Sequence, residues 1–178
     1  MDSLKIIIVG PECIDKKNII DYLIQSNSDL SIIPHCTNLQ EFKNNYNKYT
    51  YFLDINSLYL AYKNNSLMTI VTNNNISDAV TIDDFYNNDV VYVTCLQFNM
   101  ISEAFLNSNN ILIIWLDTKY TNNISESEIN EIKYIQDNIN KYKYLYFLDT
   151  DYVEICKVIL KYIDSDDDIR NEILSNYA

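Results

Sequence analysis

The chain is nearly devoid of glycine, arginine and histidine. Its 178 residues include one of each, Gly10, Arg170 and His35, together with two prolines. A single histidine excludes a histidine-rich metal site within one chain. With so little glycine and proline, turns must be formed by Asn, Ser and Asp, which tolerate left-handed backbone or make local hydrogen bonds.

Positive charge is also scarce. The chain has 13 Lys and Arg residues against 25 Asp and Glu residues, a formal net charge of −12 and a pI near 4.3. This balance argues against nucleic acid and against an anionic membrane as the main partner. An acidic surface of this kind keeps a protein soluble whatever its function is.

Cysteine pairs and long apolar runs are absent as well. The four cysteines are scattered without a C-x-x-C motif or metal-ligand spacing, which predicts reduced thiols and no metal site. No apolar run approaches the ~20 residues of a membrane span. The first residues show neither a basic region nor a cleavage site, so we expect no leader. These features predict a cytoplasmic protein.

Asn, Ile, Lys and Tyr are abundant in the chain. Such a bias is typical of an AT-rich genome and suggests a virus or a protist as the source. For a viral protein, the expected location is the host-cell cytoplasm or the virion.

Strand-like apolar runs alternate with amphipathic helical patterns along the sequence. The predicted strands are Lys5–Val9, Leu30–Ile33, Tyr49–Leu53, Thr69–Thr72, Val90–Leu96, Ile111–Leu116 and Tyr144–Leu148. The predicted helices are Lys16–Gln25, Asn56–Tyr62, Ile82–Tyr86, Met100–Leu106, Glu126–Asn140, Tyr152–Ile163 and Asp168–Ser175. This alternation predicts an α/β fold with a mostly parallel sheet flanked by helices.

The helix predicted over Glu126–Asn140 has the clearest signals. Ser125 offers an N-cap, and Glu128 stands three residues further on, as in a capping box. An apolar stripe that we expect to face the core follows at helical spacing: Ile129, Ile132, Ile135 and Ile139.

Three strand-like segments end in an acid, at Asp54, Asp117 and Asp149. A carboxylate at the carboxyl end of a parallel strand can hold Mg²⁺ in a phosphate-binding fold. Acids at strand ends are also ordinary turn and cap residues, and three copies of the pattern favour that interpretation.

The segment KIIIVGPECIDKK, residues 5–17, has the outline of a phosphate-binding loop. An apolar strand leads into Gly10, and Lys16 follows six residues later, as in G-x-x-x-x-G-K-[ST]. Asp15 and Lys17 replace the second glycine and the final hydroxyl of that pattern. Glycines allow such a loop to bring its N–H groups close to a phosphate. The replacements therefore predict a degenerate loop.

Asp15 stands at the start of the following predicted helix and is a good N-cap. We hypothesise that its carboxylate accepts the N–H groups that would otherwise hold an anion. Lys16 has two interpretations, a retained phosphate lysine or an exposed or internally paired lysine.

Over nearly its whole length the chain resembles the guanylate kinases and guanylate-kinase-like domains. Their loop G-P-S-G-x-G-K-S-T corresponds to GPECIDKKN, and their S-H-T-T-R-x-P-R-x-G-E corresponds to PHCTNLQEFKN. NDVVYVTCLQ resembles their D-V-V-L-D-I-D-x-Q-G, ILIIWLDT resembles I-F-I-x-P-P-S, and YKYLYFLDTDYVEICKVI resembles the Y-D-Y-x-I-x-N-D-D ending. The resemblance implies one domain over residues 1–178. It has a P-loop-kinase-like core at about 1–33 and 82–178 and a small inserted, formerly GMP-binding subdomain at about 34–81.

Scaffold positions of the family persist while ligand positions do not. The two arginines that would clamp GMP phosphate correspond to Asn38 and Glu41, and the guanine-reading acid corresponds to Thr69. The arginine-bearing lid has no counterpart, since residues 117–143 contain no arginine. By resemblance, the former nucleotide cleft is lined by His35, Thr37, Asn38, Glu41, Thr50, Tyr51, Thr69 and Asp78. For His35 we expect a structural hydrogen bond.

These losses predict a catalytically inactive guanylate-kinase-like protein that acts as a protein-interaction or structural module and uses no cofactor. An acidic cleft with Glu41, Asp78 and nearby tyrosines suits a basic or aromatic segment of a protein partner. The alternative is a divergent nucleoside monophosphate kinase that uses ATP and Mg²⁺ through Gly10, Lys16 and a strand-end acid. A third interpretation is a packing subunit of a viral or multiprotein assembly.

Overall fold

Two four-stranded sheets organise the protein. The computed structural model describes residues 3–45, 47–108, 110–119 and 124–178. The strands are β1 (Lys5–Val9), β2 (His35–Thr37), β3 (Thr50–Phe52), β4 (Leu67–Asn73), β5 (Ile76–Thr81), β6 (Val90–Val93), β7 (Ile111–Asp117) and β8 (Tyr144–Leu148). The helices are α1 (Lys16–Ser26), α2 (Ile55–Lys63), α3 (Ile82–Asn87), α4 (Cys95–Met100), α5 (Glu103–Ser108), α6 (Glu126–Asn138), α7 (Tyr152–Asp164) and α8 (Asp167–Tyr177), with 3₁₀ turns at Gln40–Lys43 and Ile139–Lys141. Within the described ranges, no helix combines the length and the apolar character needed to cross a membrane.

The first sheet is parallel throughout and has the strand order β6-β1-β7-β8. Its central strands carry uninterrupted apolar runs, IIIV in β1 and ILIIWL in β7, because both faces of the sheet are covered by helices. Ile6 and Ile8 pack with α1 and α7 on one face, while Ile7 and Val9 pack with α4 and α6 on the other. The predicted α/β fold with a helix-flanked parallel sheet is confirmed.

The second sheet is formed by residues 35–81 and has the order β3-β2-β5-β4. β2 pairs parallel with β3, while β5 runs antiparallel to both β2 and β4. The β4–β5 hairpin turns through Asn74 and Asn75, whose φ angles of 49° and 64° lie in the left-handed region that asparagine tolerates. α2 covers one face of this sheet, where Leu58 packs against Cys36 and Ala79.

The other face of the second sheet joins the core of the first. Met68 and Val80 belong to the same buried cluster as Val91 and Val93 of β6. The segment before β2 also follows the edge of the first sheet, where Ile32 forms a parallel bridge with Val90. The two sheets are therefore packed through shared apolar contacts.

Two predicted strands differ from the structure. The strand predicted over Leu30–Ile33 is reduced to the bridge at Ile32. The strand predicted over Val90–Leu96 ends at Val93, because Thr94 and Gln97 form a capping box that starts α4. The structure also contains β2 and β5, which were not predicted. β2 has three residues and β5 lacks a continuous apolar run, so pairing with neighbouring strands defines both.

One helix prediction was wrong, and the predicted core face of a second helix is only partly buried. The helix predicted over Met100–Leu106 is replaced by α4 and α5, because the backbone is extended at Ile101 with φ −71° and ψ 126°. α6 begins at the predicted N-cap, where Ser125 Oγ accepts from the backbone N–H of Glu128 at 3.2 Å. Of its predicted core stripe, however, Ile129 is 45% exposed, whereas the later isoleucines are buried.

The position of Gly10 leads to a prediction about packing. A Cβ at this position would lie 2.8 Å from the carbonyl oxygen of Leu116 and 3.0 Å from its Cβ, on the neighbouring strand β7. We expect Gly10→Ala to lower the free energy of unfolding by about 1–3 kcal/mol through overpacking, measured by urea denaturation. Ser28→Ala, at an exposed loop position, should change it by less than about 0.5 kcal/mol. Equal stability of Gly10→Ala and the unmodified chain would contradict this account.

Candidate functional site

The loop between β1 and α1 lies at the carboxyl end of the parallel sheet, where open α/β sheets bind their ligands. Gly10 starts it against Leu116, and Asp15 ends it as the N-cap of α1. A cleft of about 360 Å³ opens beside the loop. Its lining residues are Glu12, Cys13, Ile14, Asp15, Lys16, Lys17, Tyr92 and Thr94.

Lys16 is directed into its own loop. The side chain is buried, and Nζ donates to the carbonyl oxygens of Pro11 at 2.7 Å, Gly10 at 3.1 Å and Ile14 at 3.3 Å. Burial lowers the pKa of Lys16 from its ordinary value near 10.5. Of the two interpretations of Lys16, the geometry favours the internally paired lysine, since all three donor positions of the ammonium group are used by the loop.

Carboxylates of the chain accept the N–H groups around this loop. Asp15 Oδ1 accepts from the backbone N–H of Lys17 at 3.1 Å, which confirms the predicted N-cap, and Asp15 Oδ2 accepts from Asn18 Nδ2 at 2.8 Å. Glu128 Oε1, in the first turn of α6, accepts from the backbone N–H of Glu12 at 2.7 Å. Both oxygens occupy acceptor positions on N–H groups of the segment that would face a phosphate in a phosphate-binding loop.

The contact of Glu128 was not predicted. The capping-box pattern led us to expect that its side chain would bond back to the start of α6, but it bonds to Glu12 across 116 residues of sequence. The sequence shows that Glu128 carries a carboxylate that can accept a hydrogen bond. Nothing near it in the sequence indicates that the donor is the backbone N–H of Glu12.

Lys17, the neighbour of Lys16, faces two tyrosines across the cleft. Its Nζ lies 5.4 Å from the ring centroid of Tyr49 and 5.7 Å from that of Tyr92, within cation–π range. The hydroxyl of Tyr49 and the ammonium of Lys48 both donate to Asp21 Oδ1 on α1. Burial, together with the Asp21 carboxylate, raises the pKa of Tyr49. These contacts attach the segment before β3 to α1.

His35 connects the second sheet to the first. Its Nδ1 is 2.7 Å from Asp78 Oδ1, its Nε2 is 2.8 Å from the carbonyl oxygen of Tyr92, and its ring stacks on Tyr92 at a centroid distance of 4.6 Å. Gln97 Nε2 donates to the other oxygen of Asp78 at 3.2 Å. His35 therefore makes structural hydrogen bonds, while the Asp78 side chain remains 49% exposed.

The strand register divides the remaining predicted cleft residues between the two faces of the second sheet. Thr37 pairs with Asp78 and Thr50 pairs with His35, so all four lie on the face towards the first sheet. Thr69 also lies on this face, two residues from the partner of Asp78 in β4. Its buried hydroxyl has no hydrogen-bond partner among the described residues.

Tyr51 lies on the opposite face, next to Cys36, and its hydroxyl donates to Asp84 Oδ2 at 2.8 Å. Asn38 holds the end of the β4–β5 hairpin, since its amide bonds to the carbonyl oxygen of Asn75 at 2.9 Å and to the N–H of Ser77 at 2.7 Å. Glu41 is exposed in a 3₁₀ turn. The structure does not bring Tyr51 together with the residues around Asp78.

All three strand-end acids accept hydrogen bonds from other groups of the chain. Asp54 is the N-cap of α2 and accepts from Asn56 N and Ser57 N, so its predicted capping role is confirmed. Asp117 accepts from Gln136 Nε2 at 3.3 Å, and Asp149 accepts from the N–H of Lys119 at 3.2 Å. Over the described residues, no group of three His, Cys, Asp or Glu side chains is arranged to hold a metal ion.

The burial of Lys16 gives a prediction about stability. Replacing Lys16 by Met leaves three loop carbonyl oxygens without their donor, and we expect the free energy of unfolding to fall by about 1.5–3 kcal/mol. Lys17→Met removes an exposed neighbouring ammonium with only cation–π contacts and should cost less than about 1 kcal/mol. Urea denaturation of both variants measures the difference. Equal losses would show that the internal hydrogen bonds of Lys16 do not stabilise the loop.

Comparison with known proteins shows which known fold this chain resembles. No protein-family model matches the sequence, and no curated protein matches it. Among solved structures, a guanylate kinase from Anaplasma phagocytophilum matches with a TM-score of 0.59, over 90% of this chain and 84% of that chain, at 11% sequence identity. At this identity the likeness concerns the fold alone. The chain has a guanylate-kinase-like fold with a P-loop-kinase-like core, as its sequence motifs predicted.

Proposed function

We propose that this chain is a catalytically inactive guanylate-kinase-like protein whose former nucleotide cleft binds a segment of a protein partner. The observation that carries the proposal is the internal use of the phosphate loop. The ammonium of Lys16 donates to three carbonyl oxygens of the loop, and carboxylates of Asp15 and Glu128 accept from backbone N–H groups beside it.

Nucleotide phosphate meets two obstacles in such a loop. It must displace the internal hydrogen bonds, each contributing about 1 kcal/mol, and it must approach two carboxylates of its own charge sign. The loop also lacks the second glycine that would let its backbone come close to phosphate, because Asp15 stands there. All three effects favour the loop with its internal hydrogen bonds over the loop with bound phosphate.

The arginines that clamp phosphate in the guanylate kinases also have no counterpart in the cleft. Arg170, the only arginine, donates to the carbonyl oxygens of Tyr162 and Ile163 at 2.9 and 2.8 Å, at the end of α7. A charge-assisted hydrogen bond contributes roughly 1.5–3 kcal/mol, so the loss of two arginine clamps lowers phosphate affinity about a hundred- to ten-thousand-fold. Positioning and charge neutralisation are the main sources of catalysis in this reaction class.

The chemistry of the cleft favours a basic or aromatic segment as the occupant. Asp78 presents a half-exposed carboxylate, and Tyr92, Glu12 and Asp15 are among the residues that line the cleft. Of the two lysines in the same lining, Lys16 is turned into its own loop and Lys17 lies over the rings of Tyr49 and Tyr92. Carboxylates attract a lysine or arginine side chain, and tyrosine rings accept both cations and aromatic groups. Glu41 adds an exposed carboxylate in the turn after β2.

Loss of nucleotide binding is tested by thermal unfolding with ATP, GMP and Mg²⁺ at millimolar concentration. A ligand at one hundred times its Kd adds about 2.7 kcal/mol of stability, or roughly 5–10 °C in Tm for a chain of this size. We expect no shift with any of the three. A shift that Lys16→Met abolishes and Lys17→Met retains would overturn the proposal in favour of a divergent kinase using ATP and Mg²⁺.

Partner chemistry is tested with a fluorescent peptide of alternating lysine and tyrosine. We expect it to bind the full chain and to lose at least tenfold in affinity with Glu41→Lys and with Asp78→Lys. Asp78→Asn, which keeps the shape of the side chain, separates charge from folding. Glu172→Lys, an exposed acid on α8, is the control with the same change in net charge. If Glu172→Lys lowered the peptide affinity as much as the two cleft variants do, the attraction would be non-specific. That result would contradict binding in the cleft.

A further inference from the structure

An apolar groove lies on the outer face of the second sheet, away from the former nucleotide cleft. It has a volume of about 500 Å³ and runs between α2 and the β4–β5 hairpin. Its lining residues are Ile55, Leu58, Tyr59, Tyr62, Ile70, Thr72, Asn75 and Ser77. None of them is charged, although the chain as a whole carries a net charge of −12.

α2 presents an exposed, largely apolar stripe along this groove. Ile55, Tyr59 and Tyr62 follow one another at helical spacing and are 56, 55 and 60% exposed. Leu58, on the inner side of the same helix, is buried against Cys36 and Ala79, which holds α2 in place. Tyrosine combines a large apolar area with a polar tip and is enriched at protein interfaces.

The charges of this subdomain are balanced. Residues 34–81 contain three lysines and three acids, so the whole net negative charge resides in the rest of the chain. The residues that line the groove are uncharged, so a contact between two copies at the groove does not oppose like charges there.

The ends of α2 carry opposite charges. Asp54 caps its N-terminus, and Lys63 is its last residue, with Nζ 4.7 Å from the ring centroid of Tyr59. A helix of nine residues is about 13 Å long, and Tyr59 stands at its centre. Two such helices in antiparallel contact therefore place Asp54 of each beside Lys63 of the other, with the tyrosine stripes between the two ion pairs.

We infer that two copies of this chain associate through α2 and the adjoining groove, in an isologous dimer with antiparallel α2 helices. A two-fold axis near Tyr59 makes the surface complementary to itself, because each stripe enters the groove of the other copy and each end charge meets its opposite. The dimer leaves the cleft beside the phosphate loop open, so it is independent of what that cleft binds.

Sedimentation equilibrium of the full chain tests this inference. We expect a concentration-dependent dimer in the micromolar range. Tyr59→Asp should weaken self-association about thirtyfold, the usual effect of losing a central aromatic anchor. Tyr134→Asp, at a tyrosine on α6 of equal exposure, 56%, is the matched control and should leave it unchanged. A chain that remains monomeric at all accessible concentrations overturns the inference, as does equal weakening by both variants.

Helix orientation is tested by disulfide trapping in a Cys13→Ser background, since Cys13 is the exposed thiol among the four cysteines. In the antiparallel dimer, a mixture of Ile55→Cys and Tyr62→Cys chains should cross-link between the two variants much more than either variant does alone. Lys63→Met should weaken the dimer and make the remaining association less sensitive to salt, because it removes both end ion pairs. Cross-linking of each variant with itself would indicate parallel helices, and trapping of a different protein in place of a second copy would also contradict the inference.

Discussion

The hydrogen bonds of one buried ammonium group hold the loop between β1 and α1 in its conformation. Lys16 reaches back from the first turn of α1 and joins three carbonyl oxygens of the segment that precedes it. The segment is thereby closed on itself, with its acceptors satisfied by its own lysine. Since burial of an unpaired charge is strongly unfavourable, the loop and the lysine depend on one another.

Around this closed loop, the two sheets are connected by polar contacts as well as by the shared core. His35 bonds to Asp78 within the second sheet and to the backbone of Tyr92 in the first, while Tyr49 bonds to Asp21 on α1. These contacts join the second sheet and the segment before β3 to the first sheet and to α1. A cleft held in this way needs little further ordering when a molecule binds to it.

The sequence predicts a helix or strand well where a local sequence pattern is enough to determine it. The uninterrupted apolar runs of β1 and β7 can be stable only between two layers of helices, and they indicate the parallel sheet directly. β2 and β5 escape prediction because strand pairing, rather than composition, holds them extended. For the same reason the face on which Tyr51 lies could not be known, since it depends on the register of β3 against β2.

Prediction at the candidate site succeeded for the cap at Asp15 and for a structural hydrogen bond of His35, but it missed the contact of Glu128. The cap at Asp15 follows from its position before a helix, and the structure contains it. The bond from Glu128 to Glu12 joins two elements whose proximity depends on the whole sheet order. A sequence pattern in α6 does not contain that information, and so the second carboxylate at the loop became visible only in three dimensions.

The contact between α6 and the loop also determines how the loop responds to single substitutions. Glycine at position 15 would still leave Glu128 on the loop backbone and Lys16 turned inwards, and removal of Glu128 would still leave Asp15 at the start of α1. No single substitution therefore frees the loop of its internal hydrogen bonds, because the other contacts remain in place.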